Sequence, residues 1–261
     1  MDLSGKHTVV TGAGRGIGEA LARAFHDRGA RVTLADLAGA PQVAADIGGD
    51  RAVGLDADIA TERGNEQLIA AAREAFGPVD LFFANAGVGT GTDLSTTEDV
   101  WDTAFDVNVH AHRWAAKYLI DEWLERGEGY FCSTASAAGL LAQIGSAPYT
   151  LTKRAAVAFA EWMAITYGDQ GIRVSCLCPQ GVNTAMINGG DGGITGGDVV
   201  KAAGAVLEPG DVAAAVVEAI ELERFFVLPH PEVADYMQLK ANDPERWLGG
   251  MRKLQRRVMG A

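Results

Sequence analysis

Short β-branched or aromatic runs alternate with helical stretches along this sequence, and that rhythm restricts the fold more than any single motif does. Runs at 7–11, 31–35, 52–55, 81–84, 129–133, 173–177 and 224–228 read as strands. Between them, 17–28, 62–76, 101–125, 149–167 and 211–222 carry helical patterns. Such alternation forces right-handed crossovers and a parallel sheet covered on both faces. It predicts an α/β, doubly wound parallel sheet of about seven strands, in the order 3-2-1-4-5-6-7, from two mononucleotide-type halves. With 261 residues, 48% of them hydrophobic, the chain suits one well-buried core, and a single domain over 1–261 is expected.

Two segments break the rhythm. Residues 188–198 hold six glycines in eleven positions, a composition expected of a mobile, lid-like loop. Beyond Pro231 the chain leaves the sheet pattern for a helical extension, 231–261, with Trp247, Met251, Leu254 and Val258 along one face. Arg252, Lys253, Arg256 and Arg257 lie opposite that face. Packing on this or a neighbouring subunit is the expectation, with a membrane-surface role as the alternative.

A net charge of −12, from 22 Lys and Arg against 34 Asp and Glu, speaks against nucleic acid or anionic lipid as a partner. No basic region followed by an apolar stretch opens the chain, so no signal peptide is expected. The uncharged run 129–152 is broken by Ser, Thr, Gly and Pro148, which argues against a membrane helix and for a soluble, cytoplasmic protein. Cys132, Cys176 and Cys178 sit in apolar, strand-like segments and read as buried free thiols, with no metal site.

The sequence TGAGRGIG at 11–18 follows the first strand and opens the first helix. Glycines at 12, 16 and 18 permit a sharp turn, a close backbone approach to a pyrophosphate and tight helix–strand packing, as in Rossmann-type sheets. The helix N-terminus adds free N–H groups and a positive dipole end. On its own such a cluster could serve only as a tight turn. Asp36, at the end of the second strand, can accept hydrogen bonds from the adenosine ribose and would repel a 2′-phosphate, which favours NAD over NADP. Arg15 pulls the other way, since a guanidinium in this loop could pair with that phosphate.

Tyr149 and Lys153 lie four residues apart at the start of a long helix, with Pro148 in its first turn, and so share a helical face. A free phenol is a poor base at neutral pH, and a neighbouring ammonium lowers its pKa toward the working range. The spacing alone arises often by chance. Ser136, 13 residues upstream and just after the fifth strand, supplies a hydroxyl that could hold a substrate oxygen.

Taken with these pieces, the sequence resembles the short, single-domain branch of the short-chain dehydrogenase/reductase family. The resemblance is carried by TGAGRGIG at 11–18, Asp58-Ile59, Asn85-Ala-Gly87, Asn108 in Val107-Asn-Val109, Ser136 in SAAG, YTLTK at 149–153, and Pro179 to Thr184. It implies an NAD-dependent enzyme interconverting an alcohol and a ketone, with Asn108, Ser136, Tyr149 and Lys153 as catalytic residues. Tyr149 would exchange the substrate proton and Ser136 would position the oxygen. Lys153 would bind the nicotinamide ribose and lower the phenol pKa, and Asn108 would hold a relay water. Gly12, Arg15, Gly16, Ile17, Gly18, Asp36 and Leu37 would hold the cofactor, as would Asp58 and Ile59 at adenine and Asn85, Ala86, Gly87 and Val109 near the ribose. Pro179, Gly181, Val182 and Thr184 would complete the nicotinamide side. The family usually has Pro-Gly after the sixth strand, where this chain has Pro179-Gln180-Gly181, and Ala84 replaces the first Asn of Asn-Asn-Ala-Gly.

Ser136, Ala138, Gln143, Tyr149, Gln180 and Met186 are the candidate substrate contacts. With Leu140, Leu141, Ile144, Ala185 and Ile187 nearby, they suggest a hydrophobic secondary alcohol or ketone, although several could be ordinary core. The helices at 101–123 and 149–167 carry more apolar surface than one core face needs, and family members pair such helices between subunits, so a homodimer or homotetramer is expected. The rival readings are an NADPH-dependent carbonyl or ketoacyl reductase, which Asp36 opposes, and a non-catalytic NAD-sensing regulator, which the intact Tyr149–Lys153 pair opposes.

Overall fold

The computed structural model describes residues 1–188 and 204–260. Seven parallel strands form one sheet: β1 (His7–Thr11), β2 (Arg31–Asp36), β3 (Ala52–Asp56), β4 (Leu81–Ala84), β5 (Gly129–Thr134), β6 (Ile172–Leu177) and β7 (Phe226–Val227). Their order is β3-β2-β1-β4-β5-β6-β7, the doubly wound arrangement that the alternation predicts. In register, Val10 stands beside Leu34 on one side and Phe83 on the other.

Period-2 alternation sends neighbouring side chains to opposite faces, and each face is buried. Val9, Phe82 and Phe131 point to one side, where Phe82 and Phe131 stack at 6.2 Å. There they meet α3 (Glu62–Phe76), α5 (Ala111–Arg126) and α7 (Ala147–Tyr167). Val10, Leu34, Phe83 and Tyr130 point to the other side, toward α1 (Gly16–Asp27), α2 (Ala40–Ile47) and α8 (Pro209–Glu221). All three cysteines are buried free thiols.

The helix expected at 101–125 is not continuous. α4 (Glu98–Phe105) runs into a π-helical turn, Asp106–His110, before α5 begins. A four-residue helix, α6 (Ala137–Leu140), follows β5. Past β7 the chain turns away from the sheet into α9 (Glu232–Asn242) and α10 (Pro244–Met259). The expected lid at 188–198 lies, beyond its first residue, outside the described residues. No helix among the described residues is long and apolar enough to cross a membrane.

Candidate active site

A cavity of about 1640 Å³ opens at the carboxyl ends of the strands, where doubly wound sheets take their ligands. It exceeds the roughly 300–1,000 Å³ of a typical small-molecule site, and so has room for a dinucleotide and a substrate together.

One end is built by the glycine turn. Gly12 (φ 65) and Gly16 (φ 61) occupy left-handed backbone between β1 and α1. A Cβ on Gly18 would run into the Gly12 carbonyl, and one on Gly12 would sit 2.8 Å from Ala86 Cα. The turn therefore holds the start of α1 hard against β1 and the end of β4. Arg15, at the N-cap of α1, makes no side-chain cap bond. Gly16, Ile17 and Gly18 thus present an N-terminus without a side-chain acceptor to the cavity, a cradle suited to a pyrophosphate. Asp36 is fixed beside it, Oδ2 accepting from Gly14 N at 2.9 Å and Oδ1 from Leu37 N at 2.7 Å. Each oxygen keeps lone-pair capacity for a ribose hydroxyl. Arg15 and Leu37 are exposed at the rim, and Asp58 and Ile59 close this end.

Three strand ends are stitched together by Asn85 and Thr11. Thr11 Oγ1 accepts from the N–H groups of Asn85 and Ala86 at 3.0 and 3.1 Å. The Asn85 amide donates to Thr11 O at 3.0 Å, and its Oδ1 accepts from Thr134 Oγ1 at 3.0 Å. Gly87 is small where the next groups converge, because a Cβ there would lie 3.1 Å from Lys153 Nζ and 3.2 Å from Asn108 Oδ1.

At the other end, Ser146 caps α7, accepting from Tyr149 N at 3.3 Å, with Pro148 in the first turn. Capping fixes the helix start, and the four-residue spacing then sets Tyr149 and Lys153 on one buried face. Lys153 Nζ stands 5.7 Å from the Tyr149 ring centroid and donates to Thr134 O at 2.9 Å. Ser136 caps α6, its Oγ accepting from Ala138 N at 3.1 Å. Burial pushes the Tyr149 phenol up from its ordinary value, while the Ser136 hydroxyl beside it pulls the other way. Burial also lowers the Lys153 ammonium to about 8. The sequence suggested a lysine that pulls the phenol down; in the protein alone desolvation dominates both groups, and the ammonium spends its hydrogen bond on a backbone carbonyl.

Asn108 does not reach the cavity wall. It lies in the π turn, fully buried, accepting from Val88 N at 2.9 Å and donating to Val88 O at 2.9 Å and Thr152 Oγ1 at 3.1 Å. The altered phase of that turn puts Val107, rather than the expected Val109, on the lining. Gly181 is also off the wall, its carbonyl accepting from Leu207 N at 2.9 Å. The remaining expected cofactor positions, Pro179, Val182 and Thr184 included, line the cavity, as do Ala138, Gln143, Gln180 and Met186. Gln180 N donates to His230 Nδ1 at 3.2 Å, and its Oε1 is buried without a partner.

Two features escaped the sequence reading. His112, one turn beyond Asn108, is fully buried with Nδ1 3.0 Å from Ser133 Oγ. Burial, reinforced by the Lys153 charge, lowers its pKa to about 3, so it stays neutral near pH 7. The second feature is the C-terminal pair: Tyr236 and Leu239 of α9, with Arg246, Trp247, Met251 and Leu254 of α10, line the same cavity.

A model of the short chain dehydrogenase family matches residues 6–190. Meso-2,3-butanediol dehydrogenase of Serratia marcescens is 35% identical over 192 residues, covering 72% of this chain and 76% of that protein. The 2,5-dichloro-2,5-cyclohexadiene-1,4-diol dehydrogenase of Sphingobium indicum is 38% identical over 192 residues, 71% of this chain and 76% of that one. Among solved structures, a short chain dehydrogenase/reductase from Burkholderia phymatum in complex with NAD superposes with a TM-score of 0.86. Its sequence is 29% identical, and the match covers 94% of this chain and 96% of that chain.

Proposed function

The chain belongs to the short-chain dehydrogenase family, an NAD(P)-binding oxidoreductase acting on CH–OH groups, and from that premise we propose that it interconverts a largely hydrophobic secondary alcohol and its ketone, with NAD as cofactor and Tyr149 as acid/base. The observation that carries this reading is the convergence of Ser136, Tyr149 and Lys153 on the cavity that also holds the glycine turn and Asp36. When bound, the nicotinamide group accepts or supplies the hydride.

The chain's own residues do the rest. Gly12, Arg15, Gly16, Ile17 and Gly18 receive the pyrophosphate, and Asp36 binds the adenosine ribose and rejects a 2′-phosphate. In oxidation Tyr149 Oη takes the hydroxyl proton from the alcohol, and in reduction it returns a proton to the carbonyl oxygen. Ser136 Oγ holds that oxygen in place. The Lys153 ammonium favours the phenolate and donates to the nicotinamide ribose. Asn108 keeps the Gly87–Val88 backbone in position beside Lys153.

Assembly is proposed from α7 as well. Leu151, Ala155, Ala158, Trp162 and Ile165 repeat at helical spacing on the side opposite Tyr149 and Lys153, with Trp162 52% and Ile165 84% exposed. Such an outward apolar stripe suits an isologous contact with a second copy, giving a dimer or tetramer.

NAD reduction across aliphatic, cyclic and terpenoid secondary alcohols tests the proposal. Tyr149→Phe should lower kcat by about 10²-fold or more, the usual weight of a positioned acid/base, while leaving NADH binding measurable by fluorescence. A variant that keeps full turnover would overturn the mechanism.

A further inference from the structure

The helix α10 sits over the catalytic cavity with two parallel stripes. Trp247, Met251, Leu254 and Val258 are half-buried. Beside them, Arg246, Gly250, Lys253 and Arg257 follow the same spacing one residue out of phase, and all four line the cavity. The helix is tied to the substrate side through its neighbour: Lys240 Nζ of α9 donates to the carbonyls of Leu140 and Leu141, at the C-terminal end of α6, the helix that Ser136 caps.

This concentration of positive charge is at odds with a protein of net charge −12. Several cations elsewhere are paired with carboxylates, among them Arg23 with Glu19, Arg73 with Glu122, Lys117 with Glu62, Arg126 with Asp80 and Arg173 with Glu223, and Lys153, Arg154 and Lys240 donate to backbone carbonyls. Among the described residues, Arg246, Lys253 and Arg257 take part in no ion pair. The carboxylates on the cavity wall, Glu19, Asp36, Asp58 and Glu208, all come from other elements. A second observation points the same way. Gly249 and Gly250 lie inside the helix, where glycine is disfavoured, yet a Cβ on either would meet nothing within 4 Å. Internal packing gives no reason for them; their open faces border the cavity and leave room for a ligand to approach the helix backbone.

We propose that α10 is an anion-selecting wall of the substrate site: Arg246, Lys253 and Arg257 bind a carboxylate or phosphate carried by the alcohol at the end remote from the reacting carbon, and the Trp247, Met251, Leu254 stripe holds the apolar body between. The substrate is then an amphipathic alcohol or ketone with one anionic terminus. The inference rests on the alcohol–ketone reaction proposed above and specifies its substrate class.

The test uses secondary alcohols of equal length ending in methyl, carboxylate or phosphate, oxidised with NAD at low ionic strength by the full-length protein. It compares the wild type with the triple variant Arg246→Gln, Lys253→Gln, Arg257→Gln. The anionic alcohols should have the higher kcat/KM in the wild type, and the anionic-to-methyl ratio should fall in the variant by about tenfold or more, equivalent to 1.4 kcal/mol. The better of the two anionic arms names the terminus. An unchanged ratio overturns the proposal, as does a rise in KM for NAD at constant ratio, which would give the cations to the cofactor phosphates. Calorimetric titration of the carboxylate-ended ketone into NAD-loaded protein separates the two levels. Anion-selective binding without oxidation of any alcohol removes the proposed reaction and leaves the wall. Oxidation without anion preference removes the wall alone.

Discussion

Tyr149 and Lys153 are one turn apart, and burial moves them in opposite directions, the phenol up and the ammonium down to about 8. In each case burial disfavours the charged form relative to water. In the oxidation direction the phenolate is the active form, and a positive neighbour favours it. The rate should therefore rise with pH on its acid side. Replacing Lys153→Met should move that limb to higher pH by about one unit or more, read from kcat/KM profiles; an unmoved limb would show that the lysine does not tune the base. At the other end of the cavity, Asp36 holds its carboxylate with two backbone N–H groups. Asp36→Arg should raise the preference for NADP over NAD, measured as the ratio of kcat/KM values, because it exchanges repulsion of a 2′-phosphate for attraction. Tyr149 and Lys153 were readable in the sequence since they lie within one turn of each other, and Asp36 since it ends a strand pattern that follows the glycine turn it bonds, 22 positions earlier. His112 was not, because nothing local marks it: its neutral state comes from burial beside Lys153, which is 41 positions away.

Secondary-structure elements follow the same division. The strands were legible in their β-branched and aromatic runs, and β4 falls where it was expected. The eight-residue α2 was not anticipated, since Ala40–Ile47 is too short for a 3.6-residue period to stand out. Nor does any local pattern announce the π turn at Asp106–His110. It exists because Asn108 answers both backbone groups of Val88 and the Thr152 hydroxyl, partners 20 and 44 residues distant. Asn108→Ala would leave those groups unpaired at a cost of about 1–3 kcal/mol each at most. Urea unfolding should register the loss, and turnover should fall with it because Gly87 and Val88 adjoin Lys153. A variant with unchanged midpoint and unchanged activity would mean that the turn does not depend on its asparagine.

At the scale of the whole molecule, the alternation of strand and helix patterns foretold a parallel sheet with helices on both faces, and its ligand-binding edge followed from topology. The position of α10 did not, for an amphipathic helix in sequence carries no address. Only the packing of Tyr236 on Trp247 and the bonds from Lys240 put it over the cavity. The outward stripe of α7 is the matching question on the opposite side. Ile165→Glu, which sets a charge at its most exposed large apolar position, should convert an oligomer to monomer in light-scattering measurements while the far-ultraviolet spectrum stays the same. One helix, Ala147–Tyr167, thus bears the acid/base pair on its inner side and this stripe on its outer side, separated by about 10 Å, the width of a helix. If two copies meet there, the firmness of the catalytic floor becomes a property of the solution as much as of the chain. Specific activity should then decline on dilution, with a midpoint that coincides with dissociation of the subunits.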